Sequence, residues 1–197
     1  EVESFISIYP RISGTEKSIK AVSHVYNRLR ELGWNPEIDV FTNTTPRGPV
    51  VFRNIVVTPE NTDNIIILLS HIDTKHGLSS SFKGANDSGS STGLLLEMAR
   101  VLKNSNTGDW GFLLAFVDGE ECVEEYGPGD GLHGSKRLVS FLNDRQLRKY
   151  VRYAIVLDMT GDRDLTVTIP RNSDARLVSL AFEAAEEEGI RKDFSLS

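Results

Sequence analysis

The sequence predicts a single α/β domain with a mixed, mostly parallel central β-sheet and helices on both faces. Three apolar runs, at residues 65–69, 112–117 and 154–157, have the unbroken hydrophobic character of strands that are buried on both faces. Segments with helical periodicity alternate with these runs along the chain. Strands that alternate with helices are typical of a three-layer arrangement in which helices cover both faces of one sheet.

The elements before the first apolar run are a helix and a hairpin. Apolar side chains recur every three or four positions between residues 16 and 32, and Gly33 follows where such a helix would end. Residues 37–41 and 50–57 are rich in β-branched and aromatic side chains and flank a turn-prone Pro-Arg-Gly-Pro sequence. We therefore expect two antiparallel strands here.

The remaining elements follow from the same periodicities. Helices are predicted at residues 92–102, 137–148 and 177–188, and a further strand at residues 165–169. The whole chain, residues 1–197, is expected to form one domain without an internal repeat or a linker.

Composition excludes several classes of function. The net charge of −6 is mild and the basic residues are scattered, which excludes the basic footprint of a nucleic-acid-binding protein. No apolar stretch approaches the roughly 20 residues that a membrane span needs. Cys122 is the only cysteine, so the chain has neither an internal disulfide nor a cysteine cluster for a structural zinc.

Acidic and histidine residues follow each apolar run of the predicted sheet. Ligands of such sheets bind beyond the carboxyl ends of the strands, so these side chains are expected to converge on one rim. They are His71, Asp73, Asp87, Glu120, Glu121 and Asp158.

A cluster of carboxylates around one imidazole needs a cation, because like charges a few ångströms apart repel and raise carboxylate pKa values. Oxygen and nitrogen ligands without a thiolate suit zinc, with manganese and cobalt as alternatives. Asp73, two residues beyond His71, is placed to orient the imidazole through a hydrogen bond. Of the adjacent Glu120 and Glu121, one can bind the metal while its neighbour acts as a general base.

The other candidate side chains are expected to have ordinary structural roles. His24 falls in the first helix, and His76 and His133 fall in loops, where surface positions or local hydrogen bonds are expected. Cys122 has no positioned histidine beside it and is expected to be a small buried residue. Each acidic element taken singly also fits a solvated turn or a helix cap, so the predicted metal site depends on their joint placement.

Six short motifs along the chain are specific in combination. They are residues 11–15 (RISGT), 70–75 (SHIDTK), 84–88 (GANDS), 118–121 (DGEE), 132–135 (LHGS) and 157–159 (LDM). At these residues the sequence resembles the M28 family of zinc aminopeptidases and, within that superfamily, the glutaminyl cyclases. The resemblance covers nearly the whole chain and implies the zinc aminopeptidase-like fold.

The resemblance also implies roles for the acidic residues. Asp87 and Glu121 would bind the catalytic zinc, and Glu120 would be the general acid and base. His71 and Asp158 correspond to ligands of a second zinc in two-metal aminopeptidases, whereas in one-zinc cyclases the residue matching Asp158 hydrogen-bonds near the catalytic glutamate. One or two zinc ions are therefore consistent with the sequence.

Two reactions on peptide or protein N-termini stay open. A cyclase converts N-terminal glutamine to pyroglutamate with release of ammonia, and an aminopeptidase hydrolyses the first peptide bond. Residues 122–131 have the length typical of cyclases, although they lack the pocket tryptophan that cyclases usually carry within this stretch, and the nearest aromatic residue is Tyr126. The cyclase is favoured, with Tyr126 lining the substrate pocket.

The family's final metal ligand is a histidine in a C-terminal segment that residues 1–197 do not contain. The chain is therefore expected to lack the C-terminal part of the catalytic domain, and a non-catalytic relative of these enzymes is the third alternative. The resemblance further implies an extracytoplasmic location, secreted or periplasmic.

Overall fold

The computed structural model describes residues 1–60 and 62–197, which form two compact units at residues 1–159 and 160–197. The helices and strands of the first unit are α1 (Val2–Ile6), α2 (Glu16–Glu31), β1 (Glu37–Thr45), β2 (Gly48–Val57), β3 (Asn64–His71), α3 (Ser91–Leu102), β4 (Trp110–Val117), α4 (His133–Asp144) and β5 (Val151–Val156). Short helical turns lie at Ala85–Ser90 and Arg148–Tyr150.

The first unit is built on a five-stranded mixed sheet with the strand order β1-β2-β4-β3-β5. Strands β1 and β2 form the predicted antiparallel hairpin, and β2 also pairs antiparallel with β4. Strand β3 pairs parallel with both β4 and β5. Because His71 pairs with Val117 and Leu69 with Val156, the carboxyl ends of these three parallel strands meet at one edge of the sheet.

Helices cover both faces of this sheet, as the sequence predicts. On one face α1, α2 and α3 bury Phe5, Val25 and Leu96 against the sheet. On the other face α4 contributes Leu138 and Phe141 to a second apolar cluster. Burial of such side chains stabilises the unit by about 1.5–3 kcal/mol each, so both helical layers are firmly attached.

The prediction of a third buried strand at residues 154–157 is wrong. Strand β5 lies at the edge of the sheet and, among the described residues, pairs with β3 alone. The side chains of Ile155 and Val156 are 39% and 67% exposed. An apolar sequence run therefore does not separate an edge strand from a central one here.

Helix α4 begins at His133 and ends at Asp144, four residues earlier at both ends than the predicted helix 137–148. Its start depends on Gly134, where a Cβ atom would lie 2.4 Å from the carbonyl oxygen of Asp118. Only glycine permits this approach of the helix to the segment that follows β4. Helix α1 was not predicted, because five residues are too short to display a helical period.

The second unit contains β6 (Val167–Ile169), α5 (Ala175–Glu187), a turn at Arg191–Asp193 and β7 (Phe194–Leu196). The side chain of Asp174 caps α5 by accepting hydrogen bonds from two backbone N–H groups of its first turn. Strands β6 and β7 pair in parallel. Across residues 1–60 and 62–197, no helix combines the length and the apolar character that a membrane span requires.

Candidate metal centre

Three predicted ligands converge at the carboxyl edge of the sheet. His71 is the last residue of β3, Asp87 lies in the irregular turn Ala85–Ser90, and Asp158 follows β5. The Nε2 atom of His71 is 2.9 Å from Oδ1 of Asp87 and 3.5 Å from Oδ1 of Asp158. One ligand atom from each residue lies within 4.8 Å of the others, which is the spacing of groups that share one ion.

Two buried polar atoms of this group are not satisfied by each other, and a cation between them would satisfy both. His71 Nε2 and Asp87 Oδ1 are buried, and their contact lacks hydrogen-bond geometry, so neither has a hydrogen-bond partner among the described residues. Burial lowers the pKa of His71, but the adjacent carboxylates of Asp158, Asp73 and Asp87 outweigh it and raise the pKa to about 12. The surrounding carboxylates therefore favour a positive charge at this position, and a divalent metal ion would supply it.

Asp73 joins the imidazole to the backbone of the two glutamates. Its Oδ1 atom is 3.4 Å from Nδ1 of His71, and its two carboxylate oxygens accept hydrogen bonds from the backbone N–H groups of Glu120 and Glu121. The side chain is only 2% exposed. Asp73 thus fixes the histidine and the turn after β4 in one arrangement.

The adjacent glutamates point to different partners. Glu120 accepts hydrogen bonds from the hydroxyl of Tyr126, whereas Glu121 lies 3.6 Å from Nζ of Lys75 and near enough to Asp87 for the charge of that carboxylate to act on it. Burial raises the pKa of Glu120, and burial together with the charge of Asp87 raises the pKa of Glu121 to about 7. Glu121 stands beside Asp87 but outside the group of three ligand atoms.

Arg11 holds the segment that presents Asp87, a role that the sequence did not predict. Its side chain is 0% exposed and donates hydrogen bonds to the carbonyl oxygens of Ile72, Lys83 and Gly84. Desolvation lowers the pKa of Arg11 to about 10, against the opposing charges of Asp73 and Asp87. The motif at residues 11–15 begins with Arg11 and contains no acidic residue that could pair with it. This is the one sequence signal that could have indicated a structural role for the arginine.

The loop at residues 122–131 is organised by Asp130. The carboxylate of Asp130 accepts hydrogen bonds from the backbone N–H groups of Val123, Glu124 and Glu125. At the loop's other side, Nζ of Lys136 donates to the carbonyl oxygens of two glycines, Gly127 and Gly131. The loop therefore has a defined shape beside the candidate centre.

His133 and Cys122 are both buried beside this region. The prediction of a loop position for His133 is wrong: it opens α4, is 4% exposed, and stacks on Phe52 with ring centroids 4.6 Å apart. Its Nδ1 atom lies 3.2 Å from Nδ2 of Asn43. Cys122 is 4% exposed, as predicted, and its Sγ atom accepts a hydrogen bond from Lys75.

The fold is that of the zinc exopeptidase class, and the convergent histidine and carboxylates form a candidate metal site within it. The sequence profile of peptidase family M28 matches residues 54–191, which is most of the chain. The chain belongs to peptidase family M28.

Within this family, the chain is similar to proteins that are named glutaminyl cyclases. A glutaminyl-peptide cyclotransferase of Drosophila melanogaster is 29% identical over 163 residues, which are 80% of this chain and 46% of that protein. The crystal structure of a glutaminyl cyclase from an Acidobacteriales bacterium superimposes with a TM-score of 0.87 at 29% identity, over 100% of this chain and 69% of the other. This chain spans less than half of the curated relative.

A zinc-dependent exopeptidase of Parabacteroides distasonis shares the fold, with a TM-score of 0.84 at 23% identity over 100% of this chain and 74% of the other.

Proposed function

We propose that the protein is a zinc-dependent glutaminyl-peptide cyclotransferase, which converts N-terminal glutamine of peptides to pyroglutamate and releases ammonia. The observation that carries this proposal is the similarity to the Acidobacteriales glutaminyl cyclase, which extends over 100% of this chain with a TM-score of 0.87. Glu120 lies close enough to His71 and Asp158 for their charges to act on it, and this placement supports the same chemistry.

In this proposal Asp87 and Glu121 hold the catalytic zinc. His71 and Asp158 either complete the same site or bind a second ion, because their ligand atoms approach Asp87 as closely as a shared ion requires. The orphaned Nε2 atom of His71 and the orphaned Oδ1 atom of Asp87 support a metal at this place. Oxygen and nitrogen donors without thiolate are suitable for zinc.

The reaction is an intramolecular attack of the substrate's α-amine on its own γ-carboxamide. Zinc, when bound, would polarise the carbonyl of that amide. Glu120 would take a proton from the attacking amine and deliver it to the departing ammonia, so the carboxylate ends the cycle in its starting form. Burial raises the pKa of Glu120, which brings it closer to the working pH of a general acid and base.

The side chains around Glu120 have supporting roles in this proposal. Asp73 holds the backbone of both glutamates through their N–H groups. Asp158 faces Nε2 of His71, whereas Asp73 faces Nδ1 of the same ring. Tyr126 lines the pocket for the glutamine side chain, since its hydroxyl hydrogen-bonds to Glu120 and the residue is 54% exposed.

The second candidate function is a zinc aminopeptidase. His71, Asp87 and Asp158 form the kind of acidic cluster that a two-metal site needs, and the fold is also that of a zinc-dependent exopeptidase. In that case Glu120 would take a proton from an attacking water and deliver it to the leaving amine.

Product masses would separate the two reactions. The protein, supplemented with zinc, is incubated with one peptide that begins in glutamine and one that begins in leucine. The proposal predicts that only the glutamine peptide changes, by loss of one ammonia without cleavage. Release of a free first residue would establish the aminopeptidase instead, and two unchanged peptides would favour a non-catalytic protein.

Zinc binding tests the ligand assignment without turnover. In Asp87→Asn, zinc affinity is expected to fall by more than about 100-fold, because loss of outer hydrogen-bond partners alone costs about 10–100-fold. Competition with a chromophoric chelator measures the affinity. Glu97→Gln is the matched control, since Glu97 pairs with Arg100 on the surface of α3. Equal affinities of both variants would remove Asp87 from the site.

A further inference from the structure

Tyr126 makes a hydrogen bond that a pocket-lining ring does not require. Its hydroxyl lies 3.1 Å from Oε2 and 3.3 Å from Oε1 of Glu120, so one donor is shared between both carboxylate oxygens. Burial and the charge of Glu120 raise the pKa of Tyr126, which keeps the hydroxyl protonated and able to donate.

The ring of Tyr126 is seated by glycine. A Cβ atom at Gly131 would lie 2.6 Å from Cδ1 and 2.9 Å from Cε1 of the tyrosine ring, so the ring packs directly on the Gly131 backbone. The ammonium of Lys75 lies 5.7 Å from the ring centroid and donates a hydrogen bond to the carbonyl of Cys122. The ring is therefore positioned by the Gly131 backbone of the loop and by the ammonium of Lys75 outside it.

The loop that carries the ring is itself preorganised. Asp130, 7% exposed, accepts three backbone hydrogen bonds from the segment that leads to Tyr126. Gly127 and Asp130 exchange backbone hydrogen bonds across the loop's tip. These contacts limit the positions that the phenol can take relative to Glu120.

We propose that Tyr126 is a positioning residue for Glu120. The loop at residues 122–131, called the arm below, would hold Tyr126 in place. The inference rests on the proposed function of Glu120 as the proton carrier. A donor shared by both oxygens restrains rotation of the carboxylate, so that one oxygen faces the reacting nitrogen atoms. Catalytic groups that are held in a productive orientation lose less entropy on reaching the transition state.

Two substitutions of Tyr126 separate the hydroxyl from the ring. In Tyr126→Phe the ring stays, and we expect kcat on a glutamine peptide to fall about tenfold with KM within about twofold of the wild type. In Tyr126→Leu the ring is also lost, and we expect the same fall in kcat with a higher KM. Zinc affinity and thermal stability should match the wild type in both variants, which a merely structural role of the tyrosine would not explain.

A glycine pair tests the arm with the tyrosine left in place. Gly131→Ala should displace the ring and lower kcat, whereas Gly129→Ala, in the same loop with nothing within 4 Å of its Cβ position, should not. An unchanged kcat in Tyr126→Phe would overturn the proposal.

If the wild-type protein turns over neither peptide, the proposed function fails, and the positioning contact is then decided by a crystal structure of the zinc-loaded protein. A hydroxyl of Tyr126 within hydrogen-bond distance of Glu120 supports the arm. A hydroxyl turned away from both carboxylate oxygens overturns it.

Discussion

In the Glu120→Gln variant, turnover is expected to fall by about 10²–10⁴-fold while zinc binds with wild-type stoichiometry and affinity. The amide has nearly the shape of the carboxylate but cannot take a proton from the substrate and return it. Glu120 points to the hydroxyl of Tyr126, whereas Glu121 points to Lys75 and Asp87, so the change leaves the proposed ligands in place.

Steady-state kinetics and zinc titration on the same preparation measure the two effects. Glu124→Gln is a suitable control, because Glu124 is an exposed residue of the same loop. Loss of zinc with Glu120→Gln would mean that the roles of the two adjacent glutamates are exchanged. Full turnover would mean that neither reaction on this scaffold uses Glu120.

The second large effect is expected at Arg11, in stability rather than in chemistry. Arg11→Met should lower the free energy of unfolding by about 3–5 kcal/mol, because each buried carbonyl that loses its donor costs about 1–3 kcal/mol. The guanidinium donates to the carbonyl oxygens of Ile72, Lys83 and Gly84 from a fully buried position. Urea unfolding monitored by circular dichroism measures the change.

Arg30→Met is the matched control for this prediction. Arg30 is exposed, and it donates hydrogen bonds to Trp34 and Asn35 at the surface, so its loss should cost less than about 1 kcal/mol. Zinc affinity of Arg11→Met should also fall, because Gly84 begins the turn that presents Asp87. A loss of stability below about 1 kcal/mol would show that water can replace the guanidinium.

Much of the central sheet could be predicted from local sequence. The run of apolar residues in β3 and β4 identifies two strands buried on both faces, and the turn at Pro46 and Arg47 identifies the hairpin. Parallel strands place their carboxyl ends together, so the sequence also predicted that His71 and Asp158 would approach each other. The observed contact of 3.5 Å agrees with that expectation.

The remaining features depend on contacts between distant residues. The edge position of β5 follows from strand order, which its apolar sequence does not encode. The early start of α4 depends on the backbone of Asp118 lying against Gly134. The contact of Tyr126 with Glu120 requires the loop shape that Asp130 imposes, and periodicity carries no information on loop shape.

The three convergent side chains also connect metal binding to folding. His71, Asp87 and Asp158 come from segments that are far apart in the chain, so a shared ion would act as a cross-link that closes two long loops. An ion that binds the folded chain and not the unfolded one stabilises it in proportion to the logarithm of its free concentration. Strand β5, which is attached to the sheet through β3 alone among the described residues, would gain a second anchor through Asp158. Its amide hydrogen exchange should therefore be slower in zinc than in chelator, because the bound ion would oppose local opening of β5.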